Sequence, residues 1–157
     1  MRNPQSRWRH GVTLEIPFQD LDPLEICWHG HYAGYFEQAR NALLRSIGYD
    51  YPEMKASGYA WPVIELFVRY AQPLRYRQRI EVEAFLTEWE NRLKIDYLIR
   101  DAENGKRLTR GYTVQVAVDM RTGEMRLASP DALLEKLGID PDQNPQAPEL
   151  AGAADRC

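Results

Sequence analysis

The chain changes its hydrophobic period once, and that change constrains its fold more than any other feature. From residue 32 to 47, Tyr32, Tyr35, Phe36, Ala39, Ala42, Leu43 and Ile47 recur at helical spacing, and Gly48 follows as a natural stop. After Gly58 the period drops to two. Ile64, Leu66, Val68 and Tyr70 alternate, as do Ile80, Val82, Ala84 and Leu86. Leu93, Ile95, Tyr97 and Ile99 continue the pattern, then Leu108, Tyr112, Val114, Val116 and Val118. Asn91, Asn104-Gly105 and Thr122-Gly123 supply turn chemistry between these runs. Neither the helix nor the strands can bury an apolar face alone. They must cover each other, which predicts an α+β fold with one long helix on an antiparallel sheet.

The flanks extend this reading. Val12, Leu14, Ile16 and Phe18 alternate with polar neighbours and predict a first strand. Residues 19–30, with Pro23 and Gly30, read as a loop. Pro52 to Ala56 predicts a short helix, and Pro130 starts another over 131–137 that ends at Gly138. Residues 1–10 read as a flexible polar segment. Residues 140–157, with Pro141, Pro145 and Pro148, bury too little to offset their ordering entropy and read as a disordered tail. The expected folded unit is a single domain over 11–139.

Composition narrows the function classes. The formal charge is −3, far from the basic footprint of a nucleic-acid binder. No apolar run approaches the ~18 residues of a membrane-spanning helix, and no apolar stretch follows the basic N-terminus as in a secretory signal. Cys27 and Cys157 read as reduced thiols, which fits a cytoplasmic protein. Phosphate-loop, nucleophile-elbow and dinucleotide fingerprints are all missing from the sequence.

Titratable groups crowd into one loop. Asp20, Asp22, Glu25, Cys27, His29 and His31 lie within twelve residues that run directly into the predicted helix. The first N–H groups of a helix lack intrahelical partners and sit at its positive end. They suit a carbonyl oxygen that gains charge during attack. Asp22 beside them reads either as a turn aspartate or as a carboxylate that attacks a carbonyl or activates water. Asp20 reads as a solvated loop charge. Cys27 reads as a buried, inert thiol. His29 and His31 have no third and fourth ligand at familiar spacing, so no metal or other cofactor is expected. Glu37 reads equally as an ion pair with Arg40 or as a polar group on a pocket wall. Arg69, Arg75, Arg77 and Arg79, and Lys106, Arg107 and Arg110 further on, form two basic clusters. They read as solvated strand ends, or as a rim for a phosphate-bearing carrier.

Three segments together resemble a known family. Asp20-Leu21-Asp22-Pro23, Trp28-His29-Gly30-His31-Tyr32 and Tyr35-Phe36-Glu37-Gln38-Ala39-Arg40 are similar to the signature of hotdog-fold thioesterases. The nearest groups are the 4-hydroxybenzoyl-CoA thioesterases and the acyl-CoA thioesterases associated with the Tol-Pal system. The resemblance runs from about Thr13 to about Leu137 and implies a long helix wrapped by an antiparallel sheet. It implies hydrolysis of an acyl- or aroyl-thioester of CoA or of acyl carrier protein. It also implies a homodimer or homotetramer with active sites at subunit interfaces. The catalytic carboxylate of the family falls on Asp22, and the helix-start position falls on His29, with Gly30 and His31 beside it. Tyr32, Tyr35, Phe36, Glu37 and Trp61 are the expected pocket residues, and Arg69, Arg75 and Arg77 the expected phosphate contacts. Leu24, Glu25 and Ile26 stand where many members have small residues, and His31 where Asn or Ser is common. The competing expectations are a hotdog dehydratase of hydroxyacyl thioesters and a non-catalytic acyl-thioester-binding protein.

Overall fold

The structure, a computed structural model, describes residues 4–143. Residues 144–157, most of the segment read as a tail, lie outside the described residues, as do residues 1–3. The order is β1 (Arg9–Glu15), α1 (Tyr32–Ser46), α2 (Tyr51–Ala56), β2 (Tyr59–Ala60), β3 (Val63–Tyr70), β4 (Arg79–Glu88), β5 (Leu93–Asp101), β6 (Arg107–Gln115), β7 (Val118–Asp119) and α3 (Asp131–Lys136). Five strands pair antiparallel in the order β1-β4-β5-β6-β3, and β2 pairs with β7 beside them.

α1 starts and stops where its sequence pattern predicts. Tyr32, Tyr35, Phe36, Ala39, Leu43 and Leu44 bury one stripe, and Gly48 takes a φ of +74° that other residues rarely adopt. The stripe packs on Val82, Ala84, Leu86, Ile95, Tyr97 and Ile99, all within the core. Phe36 stacks flat on Tyr97 with ring centroids 4.4 Å apart. The cross-strand neighbours of Tyr97 are Ala84 and Gly111, which leave room for that stack. Any Cβ on Gly111 would lie 2.3 Å from the Phe67 carbonyl oxygen and 2.6 Å from the Phe36 ring.

Three details differ from the sequence pattern. β1 begins at Arg9, inside the segment read as flexible, and Trp8 meets Trp89 edge-on at 4.8 Å. The last long run splits: β6 ends at Gln115, and Val118 pairs with Ala60 instead. The parity of β6 is also reversed. Thr113, Gly111 and Thr109 register with Ile95, Tyr97 and Ile99, so the small and polar residues of β6 face α1. Tyr112 and Val114 point to the opposite face. This is tolerated because Thr113 bonds the Tyr97 hydroxyl at 2.8 Å and the Gln115 amide bonds the Trp61 carbonyl at 2.7 Å.

The two sheet edges are unlike. β1 leaves Arg9, His10, Thr13 and Glu15 exposed. β3 leaves Val63, Ile64, Leu66, Phe67 and Tyr70 exposed, with Ile64 at 53%.

Candidate active site

The loop after β1 is folded back on itself. Leu21 bridges Cys27, the Asp22 N–H donates to the Ile26 carbonyl (2.9 Å), and the Trp28 N–H donates to the Asp20 carbonyl (2.8 Å). The resulting narrow turn is attached to the strand connection behind it. The Cys27 N–H donates to the Leu74 carbonyl (2.8 Å), and Ile26 bridges Arg75.

Asp22 sits half-buried in this turn. Its Oδ1 accepts the Leu24 N–H at 2.8 Å, and Oδ2 accepts no hydrogen bond from the described residues. Asp20 is not the solvated charge expected. Its side chain is only 17% exposed, Oδ2 accepts the Tyr35 hydroxyl at 2.5 Å, and Oδ1 faces His31 Nε2 at 3.8 Å. The Tyr35 oxygen also lies 3.3 Å from the Cys27 sulfur. The phenol proton is committed to Asp20, so the thiol donates within that pair. Burial pushes the Cys27 thiol up; the Tyr35 bond pulls it partly back, and the Asp20 and Asp22 charges add to the rise. It is therefore a neutral thiol, not a nucleophile. Burial, then the bond to Asp20, also holds the Tyr35 phenol far above its ordinary value.

His29, Gly30 and His31 form a 3-10 turn that leads directly into α1. The His31 N–H is already spent on the Trp28 carbonyl at 3.0 Å. Among the described residues, the His29 and Gly30 N–H groups meet no backbone acceptor, so the open donors narrow to these two. The indole of Trp28 closes over Gly30, where a Cβ would lie 2.2 Å from its ring. It stands between the two imidazoles, with centroids 5.1 Å from His29 and 5.3 Å from His31. Tyr70, from β3, donates its hydroxyl to the His29 carbonyl at 2.7 Å and rests edge-on against Tyr32.

The expected pocket residues divide. Tyr32, Tyr35 and Phe36 are core side chains, and Glu37 is exposed and paired with Arg40 at 2.7 Å. Only Trp61 lines the apolar cleft of about 500 Å³ between α1, α2 and the end of β6. Arg40, Leu44, Met54 and Gln115 line it with Trp61. The Gln115 amide is spent on the Trp61 carbonyl, which leaves its buried Oε1 unpaired at the cleft. The three arginines divide as well. Arg75 adjoins the Asp22 turn through Ile26, Arg77 pairs with Glu15 at 3.5 Å, and Arg69 lies opposite Arg110 across β3 and β6. Among the described residues, no group of three or more His, Cys, Asp or Glu is arranged to hold a metal.

Sequence reasoning missed Asp20, Tyr70 and Gln115. The two-residue spacing of Asp20 and Asp22 was a faint signal for the first. Tyr70 meets His29 across 41 positions, which no local pattern records.

Comparison with known proteins identifies the family of this fold. The model of the thioesterase-like superfamily matches residues 16–148. The chain is 29% identical over 133 residues to sll0410 of Synechocystis, named as a candidate esterase, across 80% of this chain and 76% of that protein. It is 26% identical to the acyl-acyl carrier protein thioesterase ATL3 of Arabidopsis thaliana, across 76% of this chain and 64% of that protein. To the acyl-CoA thioester hydrolase YbgC of Escherichia coli the identity is 25%, across 52% of this chain and 58% of that protein. A hypothetical protein of Aquifex aeolicus superposes with a TM-score of 0.72 at 26% identity, covering 82% of this chain and 98% of that one. The chain belongs to the thioesterase-like superfamily and has its hotdog fold. Its class of reaction is thioester hydrolysis.

Proposed function

We propose that Asp22 and the helix-start N–H groups of His29 and Gly30 carry out this hydrolysis. One observation carries the reading: one short connection holds, among the described residues, a carboxylate with a free oxygen and, seven residues on, two N–H groups with no backbone partner. The Asp22 carboxylate either attacks the thioester carbonyl or removes a proton from a water that does. The carbonyl oxygen becomes an oxyanion and is held by the two N–H groups. The intermediate collapses as the C–S bond breaks. The thiolate takes up a proton and leaves as free thiol; where Asp22 itself attacked, a water then hydrolyses the acyl anhydride left on it, and by either route the acyl group leaves as the acid. No observation favours the dehydratase or the purely binding reading.

The substrate is an acyl- or aroyl-thioester of CoA or acyl carrier protein, with Arg75 the arginine best placed to meet a carrier phosphate. The cleft at Trp61 suits the acyl group. It lies by the middle of α1, more than two helical turns from the donor turn of the same chain. A homodimer removes that separation. The exposed apolar edge of β3 supports antiparallel pairing with a second copy, and a tetramer would then be a pair of such dimers. A two-fold axis at Phe67 sets Glu65 of one copy opposite Arg69 of the other. It also brings Tyr70, and with it the donor turn, to the Trp61 end of the neighbouring strand. No described helix is long and apolar enough to cross a membrane. The cytoplasm is the proposed compartment, in keeping with cysteines read as reduced thiols.

The test is free-thiol release across a panel of acyl-CoA and acyl carrier protein thioesters. The wild-type chain turns over at least one of them, and Asp22→Asn turns over none at a comparable rate. Undiminished turnover by that variant refutes the assignment. Oxygen-18 incorporation in a single turnover separates attack by the carboxylate from attack by water.

A further inference from the structure

Each open N–H donor belongs to a peptide whose carbonyl is gripped from behind. A peptide unit is planar and trans, so its C=O and N–H point in opposite directions. No cis peptide occurs among the described residues. Whatever holds the carbonyl therefore aims the N–H. In the peptide that carries the His29 N–H, the Trp28 carbonyl accepts the His31 N–H at 3.0 Å and faces the Cys27 sulfur at 3.6 Å. In the peptide that carries the Gly30 N–H, the His29 carbonyl accepts the Tyr70 hydroxyl at 2.7 Å. The first grip is local to the turn. The second comes from the sheet.

We infer that Tyr70 is a positioning residue for the reaction, its hydroxyl aiming and polarising the Gly30 N–H that receives the oxyanion. A hydrogen bond donated to one end of a peptide strengthens the donor at the other, because hydrogen bonds in series polarise one another. The phenol has no other partner among the described residues, and its ring is steadied against Tyr32 at 4.7 Å. Burial and the neighbouring Cys27 raise the Tyr70 pKa, which keeps the phenol protonated and able to donate. Gly30 completes the arrangement: it has no Cβ, and Trp28 fills the side from which one would project. Tyr70 acts through a backbone amide, so its contribution appears only when charge develops on the carbonyl oxygen. It belongs in kcat and not in KM.

The inference rests on the thioesterase reading above, and its test separates the two. Tyr70→Phe keeps the ring and removes only the donor. Its kcat on the best thioester substrate should fall by about tenfold, below the 10²–10³-fold cost of deleting an oxyanion donor outright. KM, Tm and oligomeric state should stay at wild-type values. A second measurement covers the case in which that variant folds poorly. Fluorinated tyrosines placed at position 70 alone are graded in acidity, and kcat should rise with donor acidity while the phenol remains protonated. A purely structural tyrosine gives a flat series. Wild-type kcat in Tyr70→Phe, a loss confined to KM, or a flat fluorotyrosine series overturns the role of Tyr70. With Asp22→Asn inactive alongside, any of these results leaves the thioesterase reading intact. A wild-type chain that releases no thiol from any thioester overturns both.

Discussion

Asp20 and Asp22 are two residues apart in one loop, and the fold treats them oppositely. Asp20 is half-buried, its carboxylate against Tyr35 and His31 and its carbonyl accepting the Trp28 N–H, which ties the loop to the first turn of α1. Asp22 is half-exposed and, among the described residues, its carboxylate is bonded only within its own turn, through one of its two oxygens. A carboxylate tied to a core side chain builds structure. One with an oxygen free is available for chemistry. The difference also shows why spacing alone cannot assign catalytic roles in an Asp-x-Asp pair.

The largest effect that sharpens this contrast belongs to Asp22→Asn. Thiol release should fall by roughly 10²–10⁴-fold, the usual contribution of a positioned base. Thermal stability should be unchanged, because the Asn amide oxygen still caps the Leu24 N–H. Asp20→Ala should do the reverse, costing about 1–3 kcal/mol of unfolding free energy because it strands the buried Tyr35 hydroxyl. Denaturant unfolding of both variants decides the matter. The contrast breaks if Asp22 proves the more stabilising of the pair. Gly30→Ala should lower activity by displacing Trp28 from the donor turn, with a change in indole emission to mark the displacement.

The alkaline limit comes next. Burial, with the Cys27 thiol adding to it, raises the Tyr32 pKa from 10.0 to about 12. The folded state then keeps a proton that the unfolded chain gives up. Its stabilisation is complete below pH 10 and is lost as the pH rises from 10 to about 12. Tyr32→Phe should flatten that decline in a pH series of chemical denaturation. The smallest effect is expected at Glu88, whose pKa is lowered mainly by its hydrogen bond from Arg92. That contribution is present above the ordinary value of 4.5 and fades as the pH falls through the lowered one. Glu88→Gln should cost at most a few tenths of a kcal/mol at neutral pH, since the pair is largely exposed.

The legible parts of the fold were those set by local pattern. α1 follows from an apolar stripe and Gly48, and the five-stranded sheet from period-two alternation and turn residues. The parity of β6 was not legible, because the demand for Gly111 comes from Phe36, some 75 positions earlier. At the site, Asp22, His29 and Gly30 were readable from their place before a helix. The hold on Asp20 depends on Tyr35 reaching it one helical turn in. The hydroxyl on the His29 carbonyl arrives from an edge strand that no loop pattern announces.

The indole of Trp28 has an optical consequence. It lies over Gly30, beside the two open donors and between two imidazoles, and it is 46% exposed. A thioester that docks its carbonyl on those donors displaces water at the face of this ring. The emission of Trp28 therefore reports occupancy without an added label. The signal can be assigned by replacing Trp8, Trp61 and Trp89 together, which leaves one tryptophan at the point where the reaction is proposed to occur.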